Sequence, residues 1–129
     1  MTEYVAAIEK LTLENTDFRR VLFTGKHTQL VMMCLAPGEE TGDEVHPNVD
    51  QLFRIEQGEA RVVFNEKQEC PVRDGDAVVV PAGTYHNVIN TSKTAPLKLY
   101  TVYSPPNHPD RTVHKTRAAA EAAEALEHT

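Results

Sequence analysis

GDAVVVPAGTYHNVIN, residues Gly75 to Asn90, is the stretch whose reading decides the fold. Asp76 to Val80 is a short β-branched run, which suits a strand. Pro81 ends it, and Pro81-Ala-Gly83 supplies a turn in which Gly83 can adopt a backbone conformation closed to other residues. A second strand opens at His86. There His86, Val88 and Asn90 alternate with Asn87 and Ile89, so His86 takes one face. A histidine fixed at a strand start behind a rigid turn is well placed to be a ligand. Alone, such a histidine is more often a satisfied polar residue, so the reading depends on partners elsewhere in the chain.

Upstream the chain reads Gly38-x5-Glu44-x-His46-x4-Gln51-x6-Gly58. Together with Gly75-x5-Pro81-x-Gly83-x2-His86-x3-Asn90 it resembles the two motifs of the cupin superfamily over residues 28 to 105. Two glycine-anchored motifs in the right order, with the right internal spacing, are far more specific than either alone. The family's first motif carries His-x-His and a downstream Glu. Here Glu44 stands at the first His position, His46 keeps the second, and Gln51 replaces the Glu. The resemblance implies an all-β fold, the cupin double-stranded β-helix or jelly-roll barrel. It implies one divalent metal held by Glu44, His46, Gln51 and His86.

That set keeps the charge of the family's three imidazoles and one carboxylate: two imidazoles, one amide and one carboxylate also carry one negative charge. Glu44 and His46, one residue apart, share a face if that segment is a strand. Gln51 alternates with the apolar Phe53 and Ile55 and should look inward. Two His plus a carboxylate with open positions is a recurring arrangement for non-haem iron and related metals. Oxygen ligands added to imidazole favour Mn, Fe, Ni or Zn, with no choice among them. The alternative is a dead pocket in which Glu44 and Gln51 bond to each other and to water. Against it, an isolated buried carboxylate is costly and tends to protonate.

With 129 residues the chain has room for one core. The expected organisation is a helix and strand arm over 1–27, a barrel over 28–105, and a Pro-containing loop with a helical tail over 106–129. A helix is expected within residues 3–10 and another over Thr116 to Leu126, where alanine and glutamate dominate. Strands are expected at Arg19–Thr24, Thr28–Ala36, Gln51–Glu56, Glu59–Phe64, Asp76–Val80, from His86, and at Leu97–Tyr103. Gly58 is read as a hairpin turn. Residues 104–110, SPPNHPD, cannot be regular because proline removes donors and fixes φ.

The net charge of −6 argues against nucleic acid or an anionic membrane as partner. No apolar stretch is long enough to cross a bilayer and the N-terminus lacks a signal-peptide pattern, so a cytoplasmic protein is expected. Cys34 lies in an apolar run and Cys70 precedes Pro71; neither is given a chemical role. His27, His108, His114 and His128 lack ligand spacing and are expected to be solvated. Small single-domain cupins are commonly homodimers, so the resemblance implies a homodimer. The tail helix could cover a neighbouring subunit or dock on its own.

The blocks DQLFRIEQGEA, DAVVVPAGTYHNVINT and LKLYTVYSPPNHPD are similar to a subgroup of small bacterial cupins labelled mannose-6-phosphate-isomerase-like. That label reflects fold, not sugar isomerisation. The resemblance implies a metal-dependent enzyme, of dioxygenase, lyase or isomerase type, on a small organic acid, enol or carbohydrate. The alternative readings are a binding or sensor cupin without turnover and a metal-free structural barrel. Tyr85 and Tyr103 are candidate proton donors, each equally readable as packing. No further general base is visible in the sequence.

Overall fold

Alternation along the strands decides where the core lies, and the computed structural model, which describes residues 2–127, follows it. Along Asp50–Gln57 (β3), Gln51, Phe53 and Ile55 are buried while Leu52 and Arg54 are exposed. The same rule buries Val31, Met33 and Leu35 on Gln29–Leu35 (β2), Ala60 and Val62 on Glu59–Phe64 (β4), and Leu97, Leu99 and Tyr103 on Leu97–Ser104 (β8). These side chains form one cluster between two sheets. With tryptophan absent from the chain, Val, Leu, Ile, Met and Phe carry the packing.

The larger sheet has the order β6-β3-β8-β2-β1-β9, where β1 is Arg19–Thr24, β6 is Ala77–Val80 and β9 is Val113–His114. The smaller has the order β5-β4-β7, with β5 at Gln68–Arg73 and β7 at His86–Asn90. All pairings are antiparallel. Residues 39–46 run beside β7 through the isolated bridges Glu40↔Ile89 and Glu44↔His86, which widens the smaller sheet. The architecture is all-β, a double-stranded β-helix with two short helices.

Several expectations need correction. Gly58 is not a hairpin turn: β3 and β4 lie in different sheets, and the chain turns a corner between them. The turn at Pro81–Gly83 likewise carries the chain from β6 in one sheet to β7 in the other. The first helix, α1, spans Ile8–Glu14 rather than residues 3–10. Its position follows what it can bury: Thr12 is fully buried and Ile8 and Leu11 partly so, with the helix against β3 and β8. Lys98 donates to the Leu13 carbonyl at 2.6 Å. Strand β9 lies beyond the proline-rich stretch and was not anticipated.

The tail helix α2, Arg117–Glu127, docks on its own chain. Thr116 caps it by accepting from the Ala119 N–H at 3.1 Å. Ala120 is buried in the barrel's core cluster, and Arg117, Ala120 and Glu124 share one helical face. Among the described residues no helix is long and apolar enough to cross a membrane.

Candidate metal centre

The two motifs are tied together by backbone before any side chain is considered. The Glu44 and His86 backbones exchange hydrogen bonds of 2.8 and 2.9 Å, and the Gly83 N–H donates to the His46 carbonyl at 2.9 Å. That last bond needs the left-handed conformation Gly83 adopts, with φ of +82°. Asp50 accepts from the Ala82 N–H at 2.8 Å, fixing the start of β3 to the same turn. Asn90, the motif's last residue, is structural: its amide donates to the carbonyls of Leu35, Ala36 and Ala95.

Glu44, His46 and His86 come together, with one potential ligand atom from each lying within 4.8 Å of the others. His86 is 2% exposed, and its Nδ1 donates to the Thr84 carbonyl at 3.0 Å. That bond sets the tautomer and leaves Nε2 with its lone pair free. The His46 Nε2 is buried without a hydrogen-bond partner and lies 3.5 Å from a Glu44 oxygen. This is longer than a good hydrogen bond. It is about the separation of two ligands that share one ion at ~2.1 Å.

Gln51 lies 6% exposed on the inner face of β3, opposite Tyr103 of β8. Its amide donates to the Thr101 hydroxyl at 3.0 Å, while that hydroxyl donates to the Leu52 carbonyl at 3.2 Å. The Thr101 oxygen therefore has to accept, which puts the Gln51 NH2 group there and leaves Oε1 buried without a partner. A buried His46 nitrogen without a partner, beside a free His86 nitrogen and a carboxylate, fits a divalent cation, and Gln51 Oε1 is a further buried oxygen without a partner. The cost of an unneutralised Glu44 is a weaker argument than the sequence suggested, because its side chain keeps 27% of its surface in solvent.

Tyr103 is buried with its ring edge-on to His46, centroids 5.8 Å apart. Burial pushes its phenol well above the ordinary range, aided by the Glu44 charge and opposed by Arg19, so it stays protonated. Tyr85, by contrast, is 49% exposed.

His108, expected to be solvated, packs edge-on against Tyr103 with its Nε2 3.4 Å from the phenol oxygen. Buried Gln29 holds it there. Gln29 accepts from the Asn107 and His108 N–H groups, both at 3.0 Å, and donates to the His108 carbonyl at 2.8 Å. Burial, with the positive charge of Arg19 next in weight, pushes the His108 imidazole down to about 3, so it is neutral. His114 pairs in β9 opposite Arg19 of β1, and its Nδ1 is 3.4 Å from the Arg19 guanidinium. His27 is exposed as expected, and His128 lies outside the described residues.

Glu44 and His46 of the triad line a cleft of about 430 Å³, together with Val45, Pro47 to Val49, Asn107 and Glu124. Size alone would not select it. A hollow of about 620 Å³ beside α1 is lined only by residues of that one short segment, so no groups converge on it from separate strands. Glu124 reaches the cleft from α2 and is held by Arg19 at 2.9 Å. Sequence reasoning missed both residues. The available signal was Arg19 itself, which falls in register with inward Val21 on β1, where a charge requires a partner.

Known proteins resemble this chain over most of its length. The uncharacterized protein YrkC of Bacillus subtilis (strain 168) is 52% identical over 126 residues, covering 94% of this chain and 67% of that protein. The crystal structure of BH2720 from Bacillus halodurans superposes with a TM-score of 0.91 at 44% identity, covering 94% of this chain and 95% of the other. A predicted oxalate decarboxylase (tm1287) from Thermotoga maritima superposes with a TM-score of 0.57 at 25% identity, over 63% of this chain and 69% of that one. A family model described as a cupin domain matches residues 31–103, more than half of the chain, and the chain belongs to the cupin family.

Proposed function

We propose that this cupin binds one divalent transition metal (Mn, Fe, Ni or Zn) through Glu44, His46 and His86, with Gln51 Oε1 completing the set. The metal serves to hold a small organic acid, enol or carbohydrate in the cleft. The observation that carries the reading is the convergence of the three donors together with the orphaned His46 Nε2 and Gln51 Oε1. A bound divalent ion supplies a Lewis acid for a ligand oxygen pair. The chain's own groups do the rest. The Thr84 carbonyl orients His86, Tyr103 offers a protonated phenol beside His46, and the loop carrying Asn107 and His108 walls the cleft.

An acid as ligand agrees with the oxalate decarboxylase prediction for the Thermotoga relative. The mannose-6-phosphate-isomerase-like resemblance adds carbohydrates to the classes worth testing. A binding or sensor role without turnover is the second reading. Its motive was the lack of a second acid or base, and Glu124 on the cleft wall weakens it. Location in the cytoplasm and a homodimer formed through the outer face of the larger sheet, where Leu52 and Val79 are exposed, belong to the same proposal. Light scattering measures the second of these.

The function is tested on Mn(II)-loaded protein against 1,2-dicarbonyl acids, enediols and sugar phosphates. Water-proton relaxation reports binding at the ion, while oxygen uptake and product NMR report turnover. Saturable displacement of metal-bound water by at least one class is expected. No response from any class contradicts the ligand assignment, and binding without product supports the sensor reading.

A further inference from the structure

Arg19 is a charge on the wrong side of its strand. On β1 it shares the buried face with Val21, and its side chain is 3% exposed. A buried guanidinium is tolerated only when paired and hydrogen-bonded. The pairing is thin. One NH1 contact reaches the Glu124 carboxylate at 2.9 Å, and the same nitrogen lies 3.4 Å from the His114 Nδ1. The guanidinium carbon lies over the Phe18 ring, 5.4 Å from its centroid, and the buried Nε has no hydrogen-bond partner. A guanidinium presents a fork that a free carboxylate can engage at two points. Here it is met at one point, by a side chain that is 37% exposed and arrives on a terminal helix.

Glu124 belongs to the cleft wall together with Glu44 and His46. Through Glu124 the Arg19 guanidinium is tied to the wall of the cleft that Glu44 and His46 also line. The Arg19 charge is also felt at Tyr103 and His108, and Tyr103 packs edge-on to His46. Helix α2 is lightly anchored: Ala120 is its only fully buried side chain among the described residues, and Leu126 is 76% exposed.

We infer that Arg19 is the carboxylate-binding residue of this cleft, and that Glu124 holds its place as a tethered substitute for a ligand carboxylate. A small dicarboxylate spans from the Glu44–His46–His86 centre to Arg19 and displaces Glu124, loosening α2. No covalent step is involved; one anion replaces another on the same guanidinium. The inference rests on the metal-centred acid site proposed above and names the class of acid, one with a second carboxylate beyond the metal-binding end.

The test is calorimetric titration of malonate into the full-length chain, with and without Mn(II). Glu124→Gln removes the tethered competitor while keeping its shape. It is expected to bind malonate about tenfold more tightly than wild type, the size of one charge-assisted hydrogen bond no longer contested. Glu121→Gln makes the same change in net charge on the same helix, at a residue paired with Arg117, and should leave affinity unchanged. In wild type, malonate should lower amide-exchange protection over residues 117–127. Adding Arg19→Met to Glu124→Gln should abolish the gain.

An unchanged malonate affinity in Glu124→Gln, or a gain matched by Glu121→Gln, overturns the inference. So does saturable binding with α2 protection unaltered. A gain in Glu124→Gln in a protein that binds no Mn(II) keeps the Arg19 site and sinks the metal reading. Mn(II) binding with no difference between the variants does the reverse.

Discussion

His86 illustrates how little freedom a ligand side chain is given. Its backbone exchanges two hydrogen bonds with Glu44 on one side and faces Phe64 of β4 on the other, and its ring is turned by the Thr84 carbonyl, so Nε2 has one direction left. Gln51 is fixed by a different device, a donor chain through Thr101 to the Leu52 carbonyl, which aims its oxygen rather than its nitrogen into the interior. Gln51→Glu should therefore tighten Mn(II) or Zn(II) binding by about tenfold, ~1.4 kcal/mol, because it adds a charge at a ligand position. Competition against a chelator measures this, and an unchanged affinity means that residue 51 stands back from the ion.

His108 makes a separate prediction. Its folded value of about 3 lies below the ordinary 6.5, so between those values the unfolded chain binds the proton and the folded chain does not. Stability is then fully present above pH 6.5 and falls with pH down to about 3, by at most ~1.4 kcal/mol per pH unit from this group. Urea unfolding at stepped pH should show a shallower acid loss for His108→Gln than for wild type. Parallel curves would mean that His108 is solvated after all.

Elements differ in how openly the sequence declares them. Inward Gln51, Phe53 and Ile55 were legible from period-two alternation alone, and β1 at Arg19–Thr24 lies where the sequence put it. Gly58 was misread because a positive-φ glycine serves a hairpin and a sheet-to-sheet corner equally well. What distinguishes them is the approach of a distant loop. A Cβ at Gly58 would meet the Pro96 carbonyl oxygen at 3.1 Å and the Leu97 Cα at 3.3 Å, and φ is +106°. Gly58→Ala should cost about 2 kcal/mol or more. This would appear as a lowered urea midpoint with an unchanged slope. A loss within a few tenths of a kcal/mol would mean the corner relaxes freely.

The site was half legible for the same reason. Glu44, His46 and His86 sit at motif spacings within two short stretches, so the convergence of these three was legible in the chain. The position of His108 depends on Gln29, 79 residues away. That of Glu124 depends on Arg19, 105 residues away. Neither link leaves a local pattern. An Ala- and Glu-rich tail announces a helix, but not which of its carboxylates meets a buried guanidinium.

At the scale of the whole molecule, two sheets close on one apolar cluster, and β2, β3, β7 and β8 each contribute a buried polar side chain: Gln29, Gln51, His86 and Tyr103. Asn107 and Glu124 line the cleft, so segments outside the family-matched region 31–103 shape it rather than trail from it. The account stands or falls on what Glu44, His46 and His86 hold. The most direct measurement is metal content, by mass spectrometry of protein purified after growth with supplementary Mn, Fe, Ni and Zn. Wild type should carry about one transition-metal ion per chain, and Glu44→Ala and His86→Ala, folded by circular dichroism, should carry far less. Wild-type protein without stoichiometric metal, or variants that retain it in full, would contradict the account.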